Sequence, residues 1–250
     1  MRACIPLLLG CALLPVYRTA GQTSPTSGRV ALARPLSLFV SEAGSDGGGN
    51  DCTERARPCR SPPAAYAFVQ RHVDIAGLAV TVHLLSNFSS SSGWTFSGPL
   101  TGGRGPGSFV INGSSADDGK MATVRLLERT AAPTVGLFFA ADGAELTLAD
   151  MRLASPIANG YTVLVGDGAV HVSGLHFLQN RCSLDVAGGR SSITQTGPLT
   201  WHTGTFTFGS VAEDHGAIYL SGDLIMDGAP AFGSSPSGGA FVQADLGVRF

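Results

Sequence analysis

The chain has 250 residues, with glycine at 34 positions, charged residues at 14% and a formal net charge of -2. Glycine at about twice its usual ~7%, with charge well below the usual ~25%, excludes a helical bundle and suits short strands joined by turns. The near-neutral balance gives no general pull toward nucleic acid or anionic lipid, and no run of 18 or more apolar residues forms a spanning helix.

At the amino terminus, Arg2 precedes an apolar run from Ala3 to Val16, and a polar Thr/Gly/Ser/Pro stretch follows. This predicts a signal peptide over residues 1–21 with cleavage near Thr19-Ala20-Gly21. Leu8-Leu9-Gly10-Cys11 has a lipoprotein flavour, but the apolar run continues past Cys11, which argues against that reading. Residues 22–35 read as a polar linker. Leu36 to Val40 reads as a strand, followed by a Gly/Asn-rich loop that holds Cys52 and Cys59. Of the five cysteines, Cys4 and Cys11 leave with the leader and Cys182 reads as buried filler. Cys52 and Cys59 close a short loop as a disulfide in an exported protein. No second Cys/His pair stands at ligand spacing, so no metal site is expected.

Ser61-Pro62-Pro63 starts a helix, because Ser61 can cap and Pro62 fits the first turn. Ala65, Phe68, Val69 and His72 fall on one face of it. Leu78 to Leu84 returns to strand. From there a phrase recurs: Ala141-Asp142-Gly143-Ala144 and Gly166-Asp167-Gly168-Ala169 place two Asp-Gly turns at matching positions. Echoes follow at Ala187-Gly188-Gly189 and His215-Gly216-Ala217. A strand–turn–strand unit repeating every ~22–28 residues is the signature of a solenoid. The fold class read from the chain is therefore all-β, a right-handed parallel β-helix over 36–250 with a short N-terminal capping helix. The cap region runs to about residue 85.

The ordered series Leu38-Phe39-Val40-Ser41-Glu42-Ala43-Gly44-Ser45-Asp46, Ala64 to Gln70, and Asp74 to Val82 resembles the opening of phage and prophage tail-associated proteins of the pectate-lyase-like superfamily. Gly98-Pro99, Phe109-Val110-Ile111-Asn112-Gly113 and Gly228-Ala229-Pro230-Ala231-Phe232 resemble later turns and strands of that family. The resemblance implies a β-helix that is secreted or built into a virion. The Cys52–Cys59 loop departs from the family pattern, and no Thr-Ile pair precedes Gln70. Family members continue for another coil beyond the strand that starts at Val248-Arg249-Phe250, so an uncovered edge is expected here. With it goes a homotrimer, a partner or a shortened reading frame.

Two acids on neighbouring coils could work on one sugar. Asp142 and Asp167 match but read as turn residues. Asp150 and Asp185 could face outward, and Glu213-Asp214-His215 is the densest polar cluster. A lyase would also need a calcium-binding carboxylate group and a base, for which Arg152, Arg181 and Arg190 are available. Trp94, Trp201 and His202 are the candidate ligand contacts, the tryptophans as sugar-stacking platforms. Asn87-Phe88-Ser89 and Asn112-Gly113-Ser114 are glycosylation acceptors only in a eukaryotic secretory host. No phosphate loop, zinc signature, nucleophile elbow or basic patch occurs, so neither a cofactor nor a nucleic-acid partner is expected. The leading expectation is a non-catalytic binder of a surface polysaccharide, or a structural part of a tail or envelope. A glycan lyase or hydrolase and a truncated prophage remnant are the alternatives.

Overall fold

The computed structural model describes residues 28–47, 49–114, 120–127, 137–154, 161–178, 181–187, 190–202, 205–210, 216–226, 231–234, 241–244 and 248–249. The leader expected over 1–21, the Glu213-Asp214-His215 cluster and the Gly228-Ala229-Pro230 turn lie outside these residues. Within them the protein is all-β with one α-helix, Pro62–His72. No helix among them is long and apolar enough to cross a membrane.

Three long sheets carry the fold, and all their described pairings are parallel. The first sheet stacks, in order, Leu36–Val40, Val80–Leu84, Phe109–Asn112, Ala144–Ala149, Gly168–Ser173, Ser191–Gln195, Ala217–Leu220 and Phe241–Ala244. The second stacks Phe88–Ser90, Thr123–Leu126, Arg152–Ala154, Leu175–Phe177, Leu199–Trp201, Leu224–Met226 and Val248–Arg249. The third stacks Trp94–Ser97, Phe138–Ala141, Val163–Val165, Arg181–Val186, Thr205–Ser210 and Ala231–Ser234. From Val80 onward the chain visits the three sheets in turn and returns to the first each time, one strand further along.

Period-two burial explains why these segments are strands. Val80–Leu84 and Ser191–Gln195 alternate buried and half-buried residues, as half-buried strands do. Leu38, Val82, Ile111, Leu148 and Val172 are register partners in successive strands of the first sheet, each 0% exposed. Gln195 continues this inward column. Its Nε2 donates to the carbonyls of Gly197 (2.9 Å) and Asp223 (3.0 Å), so a buried amide holds two turns.

The register corrects one expectation. Ala144 pairs with Gly168 and Glu145 with Ala169, a step of 24, not the 25 that superposes the two Asp-Gly phrases. A step of 25 would set His171 against Leu146 and push polar side chains inward. The hydrophobic alternation overrules the turn phrase. Asp142 and Asp167 are therefore not register partners; instead the Gly143 N–H donates to the Asp167 carbonyl at 2.9 Å. A side chain at Gly168, where φ is +139, would collide with the Ala144 carbonyl, which is why glycine stands there.

Ser61 caps the helix by accepting from Ala64 N, as expected. The buried face agrees in part: Ala65 and Val69 go inward as expected, but Pro62 and Tyr66 join them, while Phe68 is half-buried and His72 exposed. Tyr66 wins this place because its ring packs edge-on against Phe96 and Phe109, and its hydroxyl donates to Gly98 O at 2.6 Å.

Each sheet begins under a different cover. On the first, Phe39 N donates to Cys52 O (2.8 Å), Cys59 N to Phe39 O (2.9 Å) and Ser41 N to Cys59 O (2.8 Å), so the loop closed by the Cys52–Cys59 disulfide occupies the free edge. On the second, the Glu42 carboxylate accepts from Ser89 N at 3.1 Å. On the third, Tyr66 and Gln70 of the helix bond the carbonyls of Gly98 and Ser97. The expected capping helix thus lies over this third edge, and it also touches the first strand of the first sheet, Leu36–Val40. Val30–Ala31, in the stretch read as linker, pairs with Val73–Asp74.

Candidate functional site

The outer face of the first sheet is long and nearly uncharged. Thr147, His171, Thr194 and Tyr219 are successive register partners that point outward, with Tyr219 41% exposed. The row beside them runs Glu145, Ala169, Ser192 and Ala217. Small side chains next to taller ones make a shallow trough along the stack. Four strands at about 4.8 Å each give it a reach of about 14 Å. Thr147 is tied down by donating to Pro106 O at 3.1 Å.

The second sheet carries a polar group not expected from the sequence. Arg152 is the register partner of His176, and His176 of Thr200. His202, one residue beyond the strand, continues the ladder by donating its N–H to Phe177 O at 3.0 Å, and its Nε2 lies 3.3 Å from His176 Nδ1. The two rings are nearly parallel, 17° apart with centroids at 5.5 Å. Asp150 stands at the corner just before Arg152 with φ of 51, and its carboxylate fills the space that a side chain at Gly174 would need. The Arg152–His176 step of 24 residues was the usable signal.

Burial holds His176 below the ordinary imidazole range, the charges of His202 and Arg152 add to this, and Asp150 opposes it. Burial likewise lowers His83, helped by Arg55, and His171, opposed by Glu145. A depressed folded-state value means that the unfolded chain takes up protons first on acidification. Stability from these groups is full above the unfolded value of about 6.5 and is lost as pH falls below it toward the folded values. The melting temperature is expected to drop by a few degrees between pH 7 and pH 5. Replacing His83, His171 and His176 together by glutamine should flatten most of that slope. A melting temperature unchanged over this range, read by calorimetry, would contradict the assignment.

The residues expected to carry chemistry are mostly committed to structure. Trp94 is 7% exposed and Trp201 2%, so neither offers a ring face to a sugar. Trp94 is enclosed by Phe88 and Phe138, each edge-on at 5.3 Å. A cleft of about 550 Å³ lies beside it, but Asp46 there accepts from Arg60 N, Ser61 N and Ser61 Oγ, and Glu42 from Ser89 N. Asp185 does not face solvent: it is 4% exposed, on a strand whose neighbours Leu184 and Val186 are buried too. Asp142 sits in a turn with φ of 54 and accepts from Ser97 Oγ. Asp167 pairs with Arg190 at 3.0 Å. Asn87 and Asn112 use their side-chain oxygens to accept backbone amides, from Thr123 and Ser114. Glu213 and Asp214 are not among the described residues, nor are the side chains of 181–183. No group of three or more His, Cys, Asp or Glu able to hold a metal ion occurs among the described residues.

Searches against family models, curated proteins and solved structures returned no match to this chain.

Proposed function

We propose that the protein is a right-handed parallel β-helix that binds an extended extracellular polysaccharide without cleaving it, free-standing or as part of a tail or envelope. The cyclic order of the three parallel sheets supports the helix, since parallel connections are right-handed in about 98% of cases. The observation that carries the binding reading is the trough on the first sheet, where the Thr147–His171–Thr194–Tyr219 row rises beside Ala169, Ser192 and Ala217. An exposed tyrosine at the end of such a row offers a ring face for a sugar, and the threonines offer hydroxyls. The engagement of Asp142 and Asp167 and the burial of Asp185 speak for binding rather than catalysis.

The test is a glycan-array screen of the full chain, with reducing-end release assayed on every hit. Binding without release is expected, and Tyr219→Ala should weaken it about tenfold, or ~1.4 kcal/mol, within the range of an aromatic contact. Release of reducing ends would overturn the reading in favour of a lyase or hydrolase. Binding that survives Tyr219→Ala would move the ligand off the first sheet.

A further inference from the structure

The outer face of the second sheet differs in charge from that of the first. Arg125 and Arg152 point outward on adjacent strands, and His176 and His202 follow directly on the next two. Every charged or titratable described group that faces His176 can be named: Arg152 from the preceding strand, His202 from the following one, and Asp150 from the corner. Arg125 stands one strand further off, and Thr200, across from His176, is neutral and 9% exposed. Asp150 is the single acid in this set.

We propose that Arg152, His176 and His202 form an oxyanion site that fills on acidification and takes a carboxylate, phosphate or sulfate group. Two imidazoles that touch through Nδ1 and Nε2 share one proton comfortably. A second proton places two cations with ring centroids 5.5 Å apart beside a guanidinium. An anion seated between them converts that repulsion into attraction, so proton uptake and anion binding promote each other by the same factor. At neutral pH Arg152 carries the site's permanent positive charge. Below it the imidazoles add charge and further N–H donors, and charge-assisted bonds to an oxyanion are about twice as strong as neutral ones. None of these residues belongs to the trough on the first sheet, so the site is independent of it.

The test is an imidazole nitrogen NMR titration of the full chain from pH 8 to 4.5, in sodium chloride and in sodium sulfate at equal ionic strength. Sulfate is expected to raise the midpoint of the His176–His202 pair by about half a pH unit. Arg152→Gln and His202→Gln, both at outward or loop positions, should each abolish most of that shift. Identical curves in the two salts would overturn the proposal, as would a sulfate effect that survives both substitutions. A uronate oligosaccharide added in place of sulfate separates the two sources of the anion. A shift at lower concentration than inorganic sulfate supports a polymer-borne group, and a shift at equal concentration supports the free ion.

Discussion

Phe138→Ala is expected to destabilise the protein by about 3–5 kcal/mol. Phe138 is 2% exposed and lies between Trp94, edge-on at 5.3 Å, and Phe96, stacked at 6.4 Å and 6°. It pairs with Trp94 on one side and Val163 on the other through the backbone ladder of the third sheet. The ladder holds these strands in place, so the neighbouring rings cannot close over the space left by the lost ring. The cost is then the lost transfer of the ring from water together with the cavity it leaves. Phe138→Leu keeps most of the volume and should cost less than about 1.5 kcal/mol. Urea unfolding measures both: the midpoint should fall with the slope unchanged. Trp94 emission should shift to the red in the alanine variant. A loss under about 1 kcal/mol for Phe138→Ala would mean that this aromatic group is not the packed core described above.

Breaking the Cys52–Cys59 bond should cost about 2–3 kcal/mol, the loop-closure value for a separation of 7 residues. The larger effect is expected in association. Cys52 and Cys59 are 0% and 2% exposed, and their backbones occupy the open edge of Leu36–Val40. Once the loop is free, Phe39 N, Phe39 O and Ser41 N become an unpaired strand edge, which another chain can extend. The Cys52→Ser/Cys59→Ser protein should therefore grow with concentration in light scattering, as should the reduced wild type. Placing a charge on the same strand at the exposed Ser37, as Ser37→Lys, should suppress that growth. The edge explanation fails if the reduced protein keeps both its stability and its size.

Much of the fold was legible where the signal is local. The alternation in Val80–Leu84 and Gly168–Ser173, the Ser61-Pro62 helix start and the short Cys52–Cys59 loop each depend on neighbours in sequence. The errors arose where distant strands decide. The Asp-Gly phrases repeat at 25, yet the steps from Ala144 to Gly168, Gly168 to Ser191, Ser192 to Ala217 and Ala217 to Phe241 are 24, 23, 25 and 24. Turns absorb the difference so that apolar residues stay inward. Trp94 lies between serine- and glycine-rich turns and reads as exposed, but Phe138, 44 residues on, covers it. His176 and His202 are 26 residues apart, two more than the Arg152–His176 step. The ladder runs on past Trp201, where His202 N donates to Phe177 O, so the contact is a diagonal one that matching equal positions along the chain does not pick out.

The near-constant step in the first sheet has an evolutionary consequence. From Ala144 onward each described strand of this sheet pairs, within the sheet, with the strand before and the strand after it. A gene segment coding for about 24 residues could be duplicated or lost there, and the strands on either side would find equivalent partners. The length of the outer trough would then change by copy number. The covers over Leu36–Val40, Phe88–Ser90 and Trp94–Ser97 would be untouched.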